Sequence, residues 1–140
     1  MVKKNILLVN PWIADFAAYD LWAKPLGLLY IGAFLNKYGY DISLLDFLDR
    51  QKWNDDSAIN NDEGRGKYQR TAIEKPPLLK HVNRKFALYG ATESQIKGYL
   101  QTLTPPTAIL VTSHMTYWYI GLQKSIELLR RYFPETPVIV

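Results

Sequence analysis

"PLGLLYIGAFLNKYGYDISLLDF" (residues 25–47) is the stretch that decides the fold. Pro25 suits the first turn of a helix, where its lack of an N–H costs no hydrogen bond. Leu26, Leu29, Tyr30, Ala33, Phe34 and Lys37 then follow the i, i+3, i+4, i+7 spacing of a packed helical face. Gly39 after Tyr38 reads as the left-handed stop of that helix. "YDISLLDF" (40–47) reads as a strand. Upstream, "NILLVN" (5–10) is an apolar run closed by Asn-Pro, the pattern of a strand buried on both faces. Strand, helix and strand in that order make a parallel pair joined by a right-handed crossover.

The same alternation continues. Thr92 and Gln95 have the capping-box spacing ahead of Ile96, Tyr99, Leu100 and Leu103, and Pro105-Pro106 ends that helix. "TAILVTS" (107–113) is a third strand. Leu122, Ile126, Leu129 and Phe133 define a helix ending near Tyr132, and "PVIV" (137–140) opens a fourth strand. The expected architecture is one α/β domain over residues 1–140, a flavodoxin-like (Rossmann-like) doubly wound parallel sheet with strand order 2-1-3-4. Both faces and one edge of such a sheet still need cover after its fourth strand. The chain is therefore expected to be a fragment of a longer protein, truncated at that strand.

Two segments break the rhythm. "PWIADFAAYDLWAK" (11–24) has no clean period and reads as a long loop. Residues 48–91 form an irregular insertion rich in Asn, Asp, Gly and charge, with a short helix expected around 77–85. Compact domains rarely carry about 40 residues without secondary structure, so the insertion is expected to be functional or partly mobile.

Composition narrows the class. The 140 residues are 48% hydrophobic and 21% charged, as in ordinary globular proteins. No apolar run approaches the ~20 residues of a membrane span. The N-terminal "MVKKNILLVNPW" has lysines, but its apolar run is only Ile6 to Val9 and no small-residue cleavage site follows, so it is a strand and not a signal peptide. The absence of cysteine excludes disulfides, thiolate metal sites and cysteine-ligated iron–sulfur clusters within the chain. A cytoplasmic location is expected. Of the seventeen Lys and Arg residues, nine fall between residues 50 and 85, interspersed with Asp49, Asp55, Asp56, Asp62, Glu63 and Glu74. Mixed charge of this kind argues against nucleic acid as a partner, although Tyr68 and Phe86 lie among those cations.

The common chemical motifs are absent. No G-x-G-x-x-G follows the first strand, and there is no P-loop, no nucleophile elbow and no H-E-x-x-H. In an open α/β sheet, ligands bind beyond the C-terminal strand ends, where strand order reverses. There two aromatic segments would face one another. One carries Trp12, Phe16, Tyr19 and Trp22; the other carries Tyr117, Trp118 and Tyr119. They suit a large, planar, mostly apolar ligand or, equally, packing against a helix or another domain. His114 offers an imidazole that could ligate a metal or make a hydrogen bond. His81, beside Lys80, reads as solvated. Asp46 could cap the turn after its strand or touch a ligand hydroxyl, with the cap favoured.

"ILLVNPW" followed by "KPLGLLYIGAFLNKYGYDISLLD" resembles the cobalamin-binding domain at the N-terminus of many radical S-adenosylmethionine (radical SAM) proteins. In that family Asn-Pro leads to Pro-x-Gly-x-x-Tyr-[ILV] and then Gly-[HY]-[DE]-[VI]; Pro25, Gly27, Tyr30, Gly39, Tyr40, Asp41 and Ile42 match. "VTSHMTYWYIGLQKSIELLRRYFPETPVIV" is similar to one branch, whose third strand runs into Thr-Ser-x-Met-Thr-Tyr-Trp-Tyr. "GRGKY" and "KPPLLKHVNRKFALYG" are similar to that branch's insertion. The likeness covers the chain outside residues 51–63.

The resemblance implies a corrinoid, cobalamin, held at the strand ends by Asn10, Pro11, Trp12, Ser113, His114, Met115, Thr116, Tyr117 and Trp118. It implies no catalytic residue in this chain. The [4Fe–4S] cluster and S-adenosylmethionine belong to a downstream radical SAM barrel of the same full-length protein, which would be this domain's partner. The Asp-x-His-x-x-Gly signature of histidine-ligated cobalt is absent, so His114 is not expected to be an axial ligand. The Cys-x-x-x-Cys-x-x-Cys cluster motif is absent too, and a Gly-Gly loop after "PVIV" would lie beyond Val140. The alternative is a domain that keeps the fold without the cofactor and docks the barrel or a partner protein.

Overall fold

The structure, a computed structural model, describes residues 4–20, 23–54 and 66–140. Its first half runs β1 (Asn5–Asn10), β2 (Ile13–Asp15), α1 (Leu26–Lys37), β3 (Asp41–Asp46) and the short α2 (Arg50–Trp53). Its second half runs β4 (Arg70–Ala72), β5 (Ala87–Tyr89), α3 (Glu93–Leu100), β6 (Ala108–Val111), α4 (Tyr119–Tyr132) and β7 (Val138–Ile139). Single 3-10 turns occupy Pro77–Leu79 and Thr116–Trp118.

β1, β3, β6 and β7 form a four-stranded parallel sheet in the order β3-β1-β6-β7. This is the expected α/β sheet, and its four strands take the expected order. The continuous apolar run of β1 reflects burial on both sides, whereas β3 leaves Asp41, Ser43 and Leu44 exposed. Leu7, Val9, Leu45, Ile109 and Val111 face one core, closed by Ile96 and Leu100 of α3 and by Leu128 and Leu129 of α4. Ile6 and Leu8 face the other side, against Leu28 of α1. The α3 capping box forms as its spacing requires: the Thr92 side chain accepts from the Gln95 backbone and Gln95 returns to the Thr92 N–H. Gly39 ends α1 at φ +87°, the left-handed conformation that favours glycine.

Helix α1 is turned half-way round from the expected phase. Leu28, Gly32 and Leu35 face the sheet, whereas Leu26, Leu29, Tyr30, Ala33, Phe34 and Lys37 are exposed. The cause is contact distance. A Cβ on Gly32 would lie 2.5 Å from Leu8 Cδ1 and 3.4 Å from Ile42 Cγ2, so the helix approaches the sheet on its smallest residue. A helix apolar on every side satisfies the spacing rule in either phase.

The loop and the insertion also differ from expectation. β2, β5 and β4 pair antiparallel into a second, three-stranded sheet, with Ile13 opposite Tyr89 and Arg70 opposite Tyr89 on its other side. Residues 77–85 hold a single 3-10 turn in place of the expected helix. The small sheet is tied to the end of β3, where the Phe47 carbonyl accepts from the Ala91 N–H at 2.7 Å. Its own core joins Ile13, Ala18, Leu48, Tyr68, Ala87, Tyr89 and Trp118.

The first turn of α4 holds β2 in place by backbone contact. The Ser125 hydroxyl donates to the Gly121 carbonyl and accepts from the Trp12 N–H, at 2.8 and 3.3 Å. A Cβ on Gly121 would meet the Trp12 carbonyl oxygen at 2.1 Å, leaving no room for any side chain. Gly121→Ala is therefore expected to destabilise the fold by about 2–3 kcal/mol through overpacking. Urea denaturation of the two proteins checks this.

Candidate functional site

The C-terminal ends of β1, β3 and β6 meet at one buried amide. Asn10, fully buried, donates from Nδ2 to the Ala23 carbonyl and to Asp46 Oδ1, each at 2.9 Å. Its own carbonyl accepts from the Phe47 N–H. With both amide hydrogens used, Oδ1 is left as acceptor, 3.2 Å from His114 Nε2. The proton of a neutral His114 therefore sits on Nε2, and its lone pair on Nδ1. Asp46 Oδ1 also accepts from the Leu48 N–H at 2.8 Å, the capping role expected for it, and the Asp46 carbonyl accepts from Trp53 Nε1 at 2.6 Å.

Burial shifts both titrating members. It pushes the Asp46 carboxyl above its usual value, against the pull of the Leu48 N–H and the Asn10 amide. It pushes the His114 imidazole below its usual value, with the Asp46 charge pulling the other way. A neutral imidazole bonded to a buried amide positions; it does not carry charge.

The nine residues expected at the corrin face divide into two groups. Asn10, Pro11, Trp12 and Trp118 are buried, whereas Ser113, Met115, Thr116 and Tyr117 are exposed and His114 is half-buried. Trp12 points into the main core, edge-on to Phe47 at 4.7 Å, with Nε1 donating to the Ala91 carbonyl at 2.5 Å. Trp118 donates from Nε1 to Asp15 Oδ2 at 2.8 Å and meets the Tyr117 and His114 rings edge-on. The crevice between the two segments, lined by Pro11, Trp12, Ile13, Ser113, His114, Trp118 and Leu122, has a volume of about 10 Å3. That admits at most one water. The two segments thus meet directly, and any large ligand would lie outside them.

What remains accessible is a terrace past the end of β6. Met115, Tyr117 and Tyr119 are 39%, 60% and 55% exposed, and Tyr117 meets the buried Trp118 ring edge-on. Of the facing aromatics, Tyr19 is exposed, Phe16 packs edge-on to Phe86 at 5.1 Å, and Trp22 lies outside the described residues.

Asp20, which no sequence pattern singled out, organises the surroundings. It is buried and accepts from Lys24 Nζ at 2.8 Å, Arg50 Nε at 3.0 Å and the Tyr68 hydroxyl at 3.0 Å. Burial by itself would raise its carboxyl, but these donors more than offset it and hold the group below the usual value. Burial first, then the charge and hydrogen bond of Asp20, raise the Tyr68 phenol, with Arg50 pulling the other way. Tyr68 and Phe86 are both buried, so neither offers a ring on which a base could stack. Asp55, Asp56, Asp62, Glu63 and Arg65 of the mixed-charge segment lie outside the described residues.

Among the described residues, no group of three or more His, Asp and Glu side chains is placed to hold a metal ion. No helix among them is long and apolar enough to cross a membrane. The chain matches no family model, no curated protein and no solved structure.

Two outcomes test the network. Asn10→Ala leaves the Ala23 carbonyl and the buried Asp46 without their donor, and a loss of roughly 2–4 kcal/mol is expected in urea melts. Because His114 is depressed in the folded state, the unfolded chain binds its proton first, so stability falls as pH drops below about 6.5. Asp46, raised on folding, has the opposite sign and loses stability as pH rises through its own titration. His114→Gln should flatten the first slope and Asp46→Asn the second, with the His114 NMR titration midpoint below about 6.5.

Proposed function

We propose that the chain is an accessory corrinoid-binding domain of flavodoxin-like fold, belonging to a cytoplasmic radical SAM, iron–sulfur enzyme. The observation that carries this reading is the terrace of Met115, Tyr117 and Tyr119, exposed at the end of β6 where strand order reverses between β1 and β6. It stands within the Thr-Ser-x-Met-Thr-Tyr-Trp-Tyr string that carries the resemblance. Broad ring faces with hydroxyl tips suit the apolar face and polar rim of a corrin.

The residues fit such a group as a surface and not as an enclosure, given the closed crevice behind the terrace. The Asp-x-His-x-x-Gly signature of histidine-ligated cobalt is absent, so His114 is given a positioning role through its Nε2–H bond to Asn10 and no residue of this chain is assigned to the metal. Cobalamin, when bound, supplies methyl-transfer or radical chemistry. Here Met115, Tyr117 and Tyr119 provide contact area, Trp118 holds their backbone through Asp15, and the Asn10 network sets the height of the β6 end. The cluster and S-adenosylmethionine would sit in the radical SAM barrel of the full-length protein.

A second reading is favoured by a separate observation, the apolar outer side of α1. In it the domain carries no cofactor and serves as a docking module for the barrel or another protein. Titration with hydroxocobalamin, followed by its visible absorption bands, distinguishes the two. The first reading expects a saturable spectral change that Tyr117→Ala weakens at least ~10-fold, or about 1.4 kcal/mol. No change at several hundred micromolar corrinoid overturns it.

A further inference from the structure

Several cations of the insertion have partners close at hand. Arg50 pairs with Asp20 at 3.0 Å, and Lys52 lies over the Trp53 and Tyr99 rings. Lys75 donates to the Val82 carbonyl at 2.6 Å, and Lys80 stands 3.9 Å from Glu74. Among the described residues, the side chains of Lys67, Arg70, Arg84 and Lys85 have no such partner. Lys67, Arg70 and Arg84 line one cavity of about 320 Å3 on the small sheet, and no Asp or Glu among the described residues lines it with them.

Paired backbone fixes where these cations stand. Arg70 of β4 lies opposite Tyr89 of β5, and Lys67 is bridged antiparallel to Tyr19. The Arg84 N–H donates to the Val82 carbonyl at 2.9 Å, two residues before Phe86 packs edge-on to Phe16. Tyr68 and Tyr89, which also line the cavity, are buried, and their hydroxyls are engaged by Asp20 and the Phe16 carbonyl. Asp20 is in turn held by Lys24 and Arg50, so its charge is already matched. A cleft lined by one sign of charge over low-dielectric walls focuses the field and concentrates counter-ions. Like charges around one cavity repel one another, and an anion between them relieves the repulsion. Ring surface reaches the same cavity from the half-buried Phe16 and from Tyr19, which is 57% exposed.

We propose that this cavity binds a small, ring-bearing phosphate monoester. Near neutral pH such a group carries about −1.5 to −2 charge and presents three strong acceptor oxygens. These match one lysine and two guanidinium forks. A carboxylate, with a single charge and two oxygens, leaves part of the cationic set unmatched. A volume of about 320 Å3 lies at the small end of ligand pockets, which run from ~300 to ~1,000 Å3, so the ligand holds little beyond its phosphate and one ring. Phe16 and Tyr19 supply the apolar contact for that ring. The cavity shares no residue with the terrace, and the inference is independent of the corrinoid.

Titration of the chain with phenyl phosphate, followed by two-dimensional amide NMR, tests it. Saturable shifts of the Tyr19, Arg70 and Arg84 amides are expected, with half-saturation below ~1 mM. Inorganic phosphate, which lacks the ring, and benzoate, which lacks the second charge, should each bind at least ~10-fold more weakly. Arg70→Ala and Arg84→Ala, both at exposed positions, should each weaken phenyl phosphate at least ~10-fold with the far-UV spectrum unchanged. Lys37→Ala, at the end of α1, should leave binding as it is. Neither arginine variant should alter the hydroxocobalamin titration, so the two proposals fail separately. Four outcomes would overturn the inference: no saturation by ~10 mM phenyl phosphate, equal binding of inorganic phosphate (an adventitious ion only), equal binding of benzoate, or undiminished binding by the Arg70→Ala/Arg84→Ala double variant.

Discussion

The structure depends on the amide of Asn10 having every polar position occupied. A primary amide buried without partners would cost more than most single contacts contribute, so its neighbours are constrained to supply them. They come from three directions: the Ala23 carbonyl before α1, the Asp46 carboxylate ending β3, and His114 beyond β6, while the Asn10 backbone carbonyl accepts from the Phe47 N–H. One residue at the end of the central strand thus registers the ends of both its sheet neighbours. Apolar packing holds the strands together but is indifferent to small slides; the directional bonds of Asn10 are not.

That constraint explains the shape of the candidate site. With the β6 end drawn to β1 through His114, the crevice between them closes, and the Thr116–Trp118 turn is pushed outward over β2. Trp118 seals the gap from above by its bond to Asp15, and the exposed rings of Tyr117 and Tyr119 follow from its inward rotation.

The main sheet was legible because its signal is redundant. "NILLVN" and "AILV" carry apolar residues on both pleat faces, and Gly39 and the Thr92–Gln95 box mark element ends through local backbone chemistry that tertiary context seldom overrides. The phase of α1 was not legible, since residues 26–35 contain no charge to mark the outside. The small sheet was hidden for another reason. β2, β4 and β5 are three residues each, too short for alternation to register, and their pairing is set by Gly90 against the Phe47 carbonyl. At the site, Met115 and Tyr117 are exposed, whereas Trp12 is core. An indole after Asn-Pro can face either way, and the pull of Phe47 and the Ala91 carbonyl decides it. Asp20 gave no pattern because its donors come from residues 4, 30 and 48 positions away.

The indoles of Trp12, Trp53 and Trp118 each bridge segments that sequence keeps apart, by an N–H bond to Ala91, Asp46 and Asp15 respectively. Trp12 has its ring in the core of the parallel sheet and its N–H on the chain leaving the antiparallel one. Neither sheet can open without breaking that bond and withdrawing a large ring from the other's support. Two sheets of opposite type, which could have been separate cooperative units, are thereby bound into a single unfolding transition.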